Sequence, residues 1–495
     1  MSAIADLLPA RPRRTASLTL LIFAMIVSIA AFAQVGLARD GRLPAGMVGY
    51  GAGLAGLSAA AYYVVSRFAP YADPMLLPLA VFLNGIGLAM IYRLDLSTSR
   101  DVQIARARGE KFNAVVGAST PSQLMWSFVG IALFVVAVIV MRDIKALQKY
   151  IYTLGAIGLF LLALPGFLPS SISGALGAKI WIRIGSLSFQ PGEFAKILLV
   201  IFFAGYLVNK RDALAQVGKR YGFIQVPRAR DMMPILVIWL LCLGVLILEK
   251  DLGSALLFFG LFVSMLYIAT QRASWVFIGM VLLLVGGYLA TLLPFLGHVR
   301  QRIDTWLNPK PYFDGGCLVD GHVVHATAAK CTAMGGQYAD SGQLLRGIFS
   351  MGEGGVLGKG LGQGEPWRTP LSFSDFIITS FGEELGLAGL MVILLVYALI
   401  VERGMKTAVV AREPFLKLFA GGISFVLALQ VFVIVGGVTR LIPLTGLTTP
   451  FLSQGGSSLL ANWILIAILI RISDLARRPA PQSIQDEGLT QVVRV

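Results

Sequence analysis

Apolar stretches recur twelve times along the 495 residues, at about 16–36, 47–66, 75–92, 124–141, 150–168, 193–209, 234–249, 254–270, 275–294, 376–402, 415–437 and 456–472. Each is about long enough to cross a hydrocarbon core roughly 30 Å thick. A backbone in that medium must satisfy its own hydrogen bonds, so the expected fold is an all-α polytopic membrane bundle. Composition points the same way, since only 14% of residues are charged, against about 25% in soluble domains. Three cysteines exclude a dense disulfide scaffold, and 55 glycines without a three-residue period leave room for close helix packing. The first stretch is too long for a signal-peptide core and lacks a small-residue cleavage site before Arg39 and Asp40, so it reads as a retained span.

An even number of spans puts both termini on one side. With the termini inside, the internal segments carry 21 Lys and Arg and the external ones 18, seven of which fall in the single long loop 295–375. Long loops translocate largely regardless of charge, so the short-loop comparison is 21 against 11 and favours cytoplasmic termini. Most of the +15 net charge is then a cytoplasmic face beside anionic membrane lipids, and no nucleic-acid partner is expected. No 20–50-residue repeat and no inverted pair of broken helices is visible. The expected organisation is a basic tail at 1–15, a helix pair at 16–66, a membrane core at 67–475 and a polar tail at 476–495, both tails serving as charged anchors.

The 295–375 loop is long, external and rich in glycine, notably at Gly352-Glu353-Gly354-Gly355 and from Gly358 through Lys359 to Gly364. No strand precedes these glycines and no G-x-x-x-x-G-K-[ST] pattern occurs, so tight turns are expected rather than a nucleotide cradle. Cys317 and Cys331 share this compartment, where a disulfide is favoured; closing about 15 residues stabilises by roughly 3 kcal/mol on the chain-entropy model. His322 and His325 lie between them, but the spacing is not a standard zinc pattern, and no metal site is expected. Cys242 stands alone in an apolar span as a small core residue.

Ionisable groups in or beside spans are costly unless paired, hydrated or used. Glu193 and Lys196 follow Gln190-Pro191-Gly192 at i,i+3 spacing on one helix face, either a structural ion pair or part of a site. Asp251 lies in a turn too short to leave the outer boundary, where a helix cap is its simplest role. Asp375, in Phe373-Ser374-Asp375-Phe376, sits between aromatic residues where the loop re-enters lipid. It could cap a helix, and a carboxylate shielded from water there would also gain the basicity of a general base. Glu383 and Glu384, about two turns further on, are expected to support the site through packing and polar contacts. Gly455-Gly456-Ser457-Ser458 is not read as a nucleophile, because no G-x-S-x-G elbow is present.

Five blocks, AKIWIRIGSLSFQPGEFAKI, EKDLGSALL, GGVLGKGLGQG, SFSDFIITSFGEELGLAGL and TRLIPLTGLTTPFLSQGGSSLLANW, occur in this order. Together they resemble the SEDS family, the shape, elongation, division and sporulation polymerases FtsW, RodA and SpoVE, and most of all its actinobacterial RodA members. The resemblance covers about residues 70–475 and implies a ten-helix membrane core, here the third to twelfth spans, with the pair at 16–66 added in front. It implies a peptidoglycan glycosyltransferase that polymerises lipid II on the external face of the cell membrane for elongation and shape, working with a class B penicillin-binding protein as transpeptidase. By motif, the family's essential aspartate falls on Asp375, its glutamate and lysine on Glu193 and Lys196, the preceding tryptophan on Trp181, and the aspartate of its Q-P-D-L-G block on Asp251. Gln343 and the glycine block with Lys359 remain recognisable. Two departures stand out: Glu249-Lys250 replaces Gln-Pro before Asp251, and about Cys317 to Tyr338, within 311–342, is inserted relative to shorter members.

Joining a sugar hydroxyl to an anomeric carbon that bears an α-linked pyrophosphate needs a base for the hydroxyl and cations for the departing phosphates. Asp375 is the expected base, and Lys196, Arg183 and Arg440 the available cations, of which only Lys196 has motif support. Gln190 is counted with the substrate contacts. A β-linked product implies a single inverting displacement without a covalent enzyme intermediate. A divalent ion such as Mg²⁺ on the pyrophosphate stays open, since Glu193, Asp251 and Asp375 offer oxygen ligands without diagnostic spacing. The alternatives are a lipid II flippase, which would need polar groups right across the bilayer, and a noncatalytic scaffold for the transpeptidase.

Overall fold

The computed structural model describes residues 14–479 apart from 97–98, 110–117, 176–177, 186, 216–218, 222–223, 227–228, 294–295, 314, 320–321 and 335–336. Most of the basic tail and the residues after Pro479 therefore lie outside the described residues.

Helices dominate. The first half runs α1 (Arg14–Asp40), α2 (Met47–Phe68), α3 (Leu76–Asp95), a short α4 (Ser99–Ala107), α5 (Thr120–Val140), α6 (Ile151–Phe167) and α7 (Ser170–Ser173). Two antiparallel hairpins follow, β1 (Gly174–Ala175) with β2 (Ala178–Lys179) and β3 (Ile182–Ile184) with β4 (Leu187–Phe189), leading into α8 (Pro191–Ala215). A third, β5 (Lys219–Tyr221) with β6 (Ile224–Val226), precedes α9 (Ala229–Glu249), α10 (Leu252–Thr270) and α11 (Ser274–Leu292). The long loop contains α12 (Gly297–Leu307), β7 (Gly316–Val319), β8 (His322–Val324), α13 (Ala328–Ala333), β9 (Gln337–Ala339) and α14 (Gly342–Gly354). The bundle closes with α15 (Ile377–Val410), α16 (Pro414–Val438) and α17 (Gly456–Arg477).

Eleven of the helices among the described residues are long and apolar enough to cross a membrane, and the shorter apolar helix Leu236–Glu249 occupies the seventh apolar stretch. The chain is a multi-pass membrane protein. Helix ends follow local chemistry: Ser119 accepts from the Ser122 amide at the head of α5, and Pro191 and Pro414 occupy first turns, where a missing N–H costs nothing. Several helices overrun their apolar stretches, as α15 does to Val410, because hydrogen bonding continues through polar flanks.

The inner helices are α3, α8, α16 and α17, while α11 sits at the rim with most of its surface uncovered. Of the additional pair, α1 packs on α3 and α2 on α5 and α1; on α3, Gly85 permits contact with Ser28, since a Cβ at Gly85 would lie 2.4 Å from the Ser28 Cβ. Phe32 stacks between Tyr50 and Tyr92, and Tyr50 donates to the Gly85 carbonyl at 3.0 Å. At one end of the bundle Arg477 pairs with Asp73 at 2.6 Å and Asp474 accepts from the Tyr71 amide, tying the start of α3 to the end of α17.

The glycine segment 355–364 consists of turns, as expected, whereas the earlier part of the long loop is a folded module. Strands β8, β7 and β9 form a small antiparallel sheet, and Cys317 on β7 is joined to Cys331 on α13 by a disulfide with Cα atoms 5.4 Å apart. This module coincides with the stretch identified above as inserted, and the bonded sulfurs are not available as thiolate ligands.

Candidate active site

Opposite the Asp73 end, the loop, the starts of α8, α10 and α15 and the 440–455 connection converge. Asp375 lies one residue before Phe376, which flanks α15, and is 8% exposed. Phe376 is the N-cap residue of α15 and makes no side-chain cap bond, while the carboxyl of Asp375, one residue earlier, is met by the backbone amides of Asp375 and Phe376. The backbone just before it is pinned twice: Ser453 Oγ donates to the Ser374 carbonyl at 2.6 Å and the Gln454 amide to the Phe373 carbonyl at 2.9 Å. Burial pushes the Asp375 carboxyl up to about 6, opposed by nearby backbone amides and by the charge of Arg302.

Asp251 does cap a helix, accepting from the Ser254 amide at 3.0 Å at the head of α10. Its carboxyl is also raised by burial and by the Glu193 charge, while Ser254 and Arg302 lower it. The preceding Lys250 has φ 61°, a conformation closed to proline, which fixes φ near −65°. The Gln-Pro that the family resemblance implies at Glu249-Lys250 could therefore not form this turn. Asp251, Glu249, Gln190 and Ser254 line a small cavity of about 10 Å³, room for a single water, closed by Leu162, Pro165 and Ile180.

Glu193 and Lys196 form a buried ion pair on α8, with Lys196 Nζ 2.6 Å from Glu193 Oε2 and 2.9 Å from Gln430 Oε1 on α16. Gln430 in turn donates to the Thr448 carbonyl at 3.0 Å. Gln190 donates its amide to Ser457 Oγ at 2.9 Å. Trp181 and Arg183 belong to the β3–β4 hairpin region beside this cavity, Trp181 half-buried and Arg183 exposed. Gln343 on α14 donates to the Pro370 carbonyl at 3.3 Å.

Two other candidate cations are engaged elsewhere. Arg440 holds the last turn of α12 through the Trp306 and Leu307 carbonyls, at 2.8 and 2.9 Å. Lys359 binds Glu353 and Glu383, the latter at 3.0 Å.

Glu383 and Glu384 clamp the glycine loop. Glu384 accepts from Arg93 Nε at 2.8 Å and from the Gly362 amide at 2.9 Å, and Arg93 also donates to the Gly364 carbonyl. Glu383 accepts from Ser350, Lys359 and the Glu365 amide. Gly386 breaks α15 with φ 68°, freeing carbonyls that the Lys359 and Gly360 amides take up. A Cβ at Gly358 would lie 2.2 Å from the Glu384 carbonyl oxygen, which is why glycine is needed there.

The residue that the sequence reading missed is Arg302 on α12. Its Nη1 donates to the Leu444 and Thr445 carbonyls at 2.9 and 3.1 Å, and its charge acts on both Asp251 and Asp375. In the sequence it is one of seven Lys and Arg in the loop, and nothing in its spacing singles it out. Among the described residues no three His, Cys, Asp or Glu side chains gather as a metal-ligand set, and no step below is routed through a metal ion.

The model of the cell cycle protein family that comprises FtsW, RodA and SpoVE matches residues 74–478. The chain belongs to this family. FtsW/RodA/SpoVE relatives include the peptidoglycan glycosyltransferase RodA of Mycobacterium tuberculosis, 44% identical over 471 residues, covering 95% of this chain and 92% of the relative. The Mycobacterium leprae protein of the same description is 43% identical over 474 residues, with the same shares covered. A solved chain from a peptidoglycan synthase complex that coordinates polymerization and crosslinking shares the family fold, with a TM-score of 0.53 at 22% identity over 78% of this chain and 96% of that one. The family match begins at residue 74, so α1 and α2 stand in front of the FtsW/RodA/SpoVE region.

Proposed function

We propose that the chain is a peptidoglycan glycosyltransferase that polymerises lipid II into β-1,4-linked glycan strands on the external face of the cell membrane, with both termini cytoplasmic. The relatives of about 44% identity are named peptidoglycan glycosyltransferases. The observation that carries the mechanism is Asp375, a buried carboxyl of raised proton affinity, outside the spans, where the loop meets the bundle. Asp375 takes the proton of the acceptor hydroxyl as that oxygen bonds to the anomeric carbon of the donor, and the bond from that carbon to the lipid pyrophosphate breaks. The pyrophosphate leaves as the anion, and inversion turns the α linkage into a β one.

Glu193 and Gln430 fix Lys196 as a buried point charge in the first turns of α8, and lysine has a third N–H to offer a phosphate oxygen. Asp251 and Gln190 are the saccharide contacts that the family motifs suggest, with Trp181 and Arg183 in the neighbouring hairpin region, while Gln343, Lys359 and Arg440 hold the loop. A class B penicillin-binding protein is the partner that crosslinks the product.

A flippase needs polar groups across the whole bilayer. Here the ionisable groups of the described bundle gather at its two ends, around Asp251 and Asp375 and around Asp73 and Asp474, which favours the polymerase. A scaffold leaves Asp375 without a task. Incubating the purified protein and its transpeptidase with lipid II tests the reading: glycan polymer is expected, and its absence with lipid II translocation in its place would overturn it.

A further inference from the structure

We propose that Arg302 is a positioning residue that acts through Asp375: anchored to the 440–455 connection, it holds a fixed positive charge against the base and sets the pH at which the base works. This rests on the reading of Asp375 as the base.

The geometry is a shared frame. Arg302 Nη1 grips the Leu444 and Thr445 carbonyls. Nine residues further along the same connection, Ser453 and Gln454 hold the backbone carbonyls of Ser374 and Phe373, immediately before Asp375. Gly253, two residues after Asp251, packs so closely on this connection that a Cβ would lie 2.8 Å from the Thr445 oxygen. One strip of backbone therefore locates the guanidinium and both carboxylates.

No ion pair within 4.0 Å joins Arg302 to either aspartate among the described residues, so each carboxylate keeps oxygen atoms for substrate while feeling the charge. The other charged groups facing the cluster are Glu193 on α8 and Glu249 at the end of α9, both beside Asp251, and Lys250 in the turn before α10, which after burial and Arg302 lowers the proton affinity of His298. Arg302 is thus the cation that bears on Asp375. Burial alone would hold that carboxyl protonated to a higher pH, and a base protonated at the working pH is idle.

The test is a pH–rate profile of lipid II polymerisation by the full chain with its transpeptidase, from about pH 5 to 9. In Arg302→Gln the acid limb is expected to move up by about one pH unit or more, the lower end of what a nearby opposite charge produces. For a one-unit shift activity would then fall roughly fivefold at pH 6, where the parent is near its limb, and recover to within about threefold at pH 8.5. Arg302→Lys keeps the charge with a poorer grip on the carbonyls, and its limb should stay with the parent. Loss of activity by the same factor at every pH, or a raised KM with an unmoved limb, would show a structural or phosphate-binding role and overturn the proposal. If Arg302→Gln does not fold, a limb in Arg302→Lys displaced by a unit or more overturns it equally. Asp375→Asn run alongside separates the two readings: an active Asn variant removes the base, whereas an inactive one with an unmoved Arg302→Gln limb removes only the role of Arg302.

Discussion

Two groups of carboxylates sit at the same end of this bundle, and they are treated in opposite ways. Glu383 and Glu384, on the first two turns of α15, have their oxygens occupied by Arg93, Lys359, Ser350 and the backbone of the glycine loop. Asp375, two residues before the same helix, is nearly as buried and has no ion pair. The physical cost of burying a charge is offset in the first case by direct partners and in the second only by a few amides and the field of Arg302. A fully satisfied carboxylate makes a rigid scaffold. One left partly unsatisfied keeps its proton affinity high and its oxygens free, which is what a base requires.

The sharpest way to break this comparison is to neutralise one member of each group. Asp375→Asn should leave folding and transpeptidase binding intact and lower polymerisation roughly 10²- to 10⁴-fold, about 3 to 5 kcal/mol of barrier. Polymer formation within about threefold of the parent would make Asp375 structural and send the search for the base to Asp251 or Glu193. Glu384→Ala should do the reverse: it strands the Arg93 guanidinium, which is buried with it, at a cost of about 3 to 5 kcal/mol in stability. Thermal unfolding of the detergent-solubilised protein measures this, and an unchanged midpoint would remove the scaffold role.

The Glu193–Lys196 pair lies between the two classes, since it is partnered yet the Glu193 charge acts on Asp251. Lys196→Met keeps the apolar length of α8 and should lower polymerisation by about 10²- to 10³-fold if the ammonium faces the pyrophosphate. Near-normal activity would move the pair to the scaffold group. A smaller effect concerns pH: with Asp375 raised to about 6, the base is protonated below that value, so activity should fall as pH drops through about 6 and hold above it. The smallest effect is expected at the loop disulfide. Cys317→Ser with Cys331→Ser should loosen the module by about 3 kcal/mol or less and leave polymerisation within about threefold, measured as proteolysis of the loop beside a polymerisation assay.

The apolar stretches, the i,i+3 placement of Glu193 and Lys196 and the aromatic flanks of Asp375 were legible because each is a local pattern whose physical meaning survives any fold. The elements that overran expectation were local as well, but depended on hydrogen bonding rather than hydropathy: α4, the β hairpins and the sheet around Cys317 carry short, mixed sequences with no clean period. Lys359 and Arg440 show the limit of reading charge alone, because a cation in a loop reveals nothing of whether Glu383 or the Trp306 carbonyl already holds it.

By itself the sequence determined that this chain is a helical membrane protein and which carboxylates stand at span boundaries, because transfer of a side chain or a peptide group into hydrocarbon is a property of composition and spacing. Only the tertiary structure decided which of those charges are satisfied. Arg93 meets Glu384 across 291 residues of chain and Arg302 meets the Leu444 carbonyl across 142, and the strength of such contacts depends on distance and burial, which sequence separation does not encode.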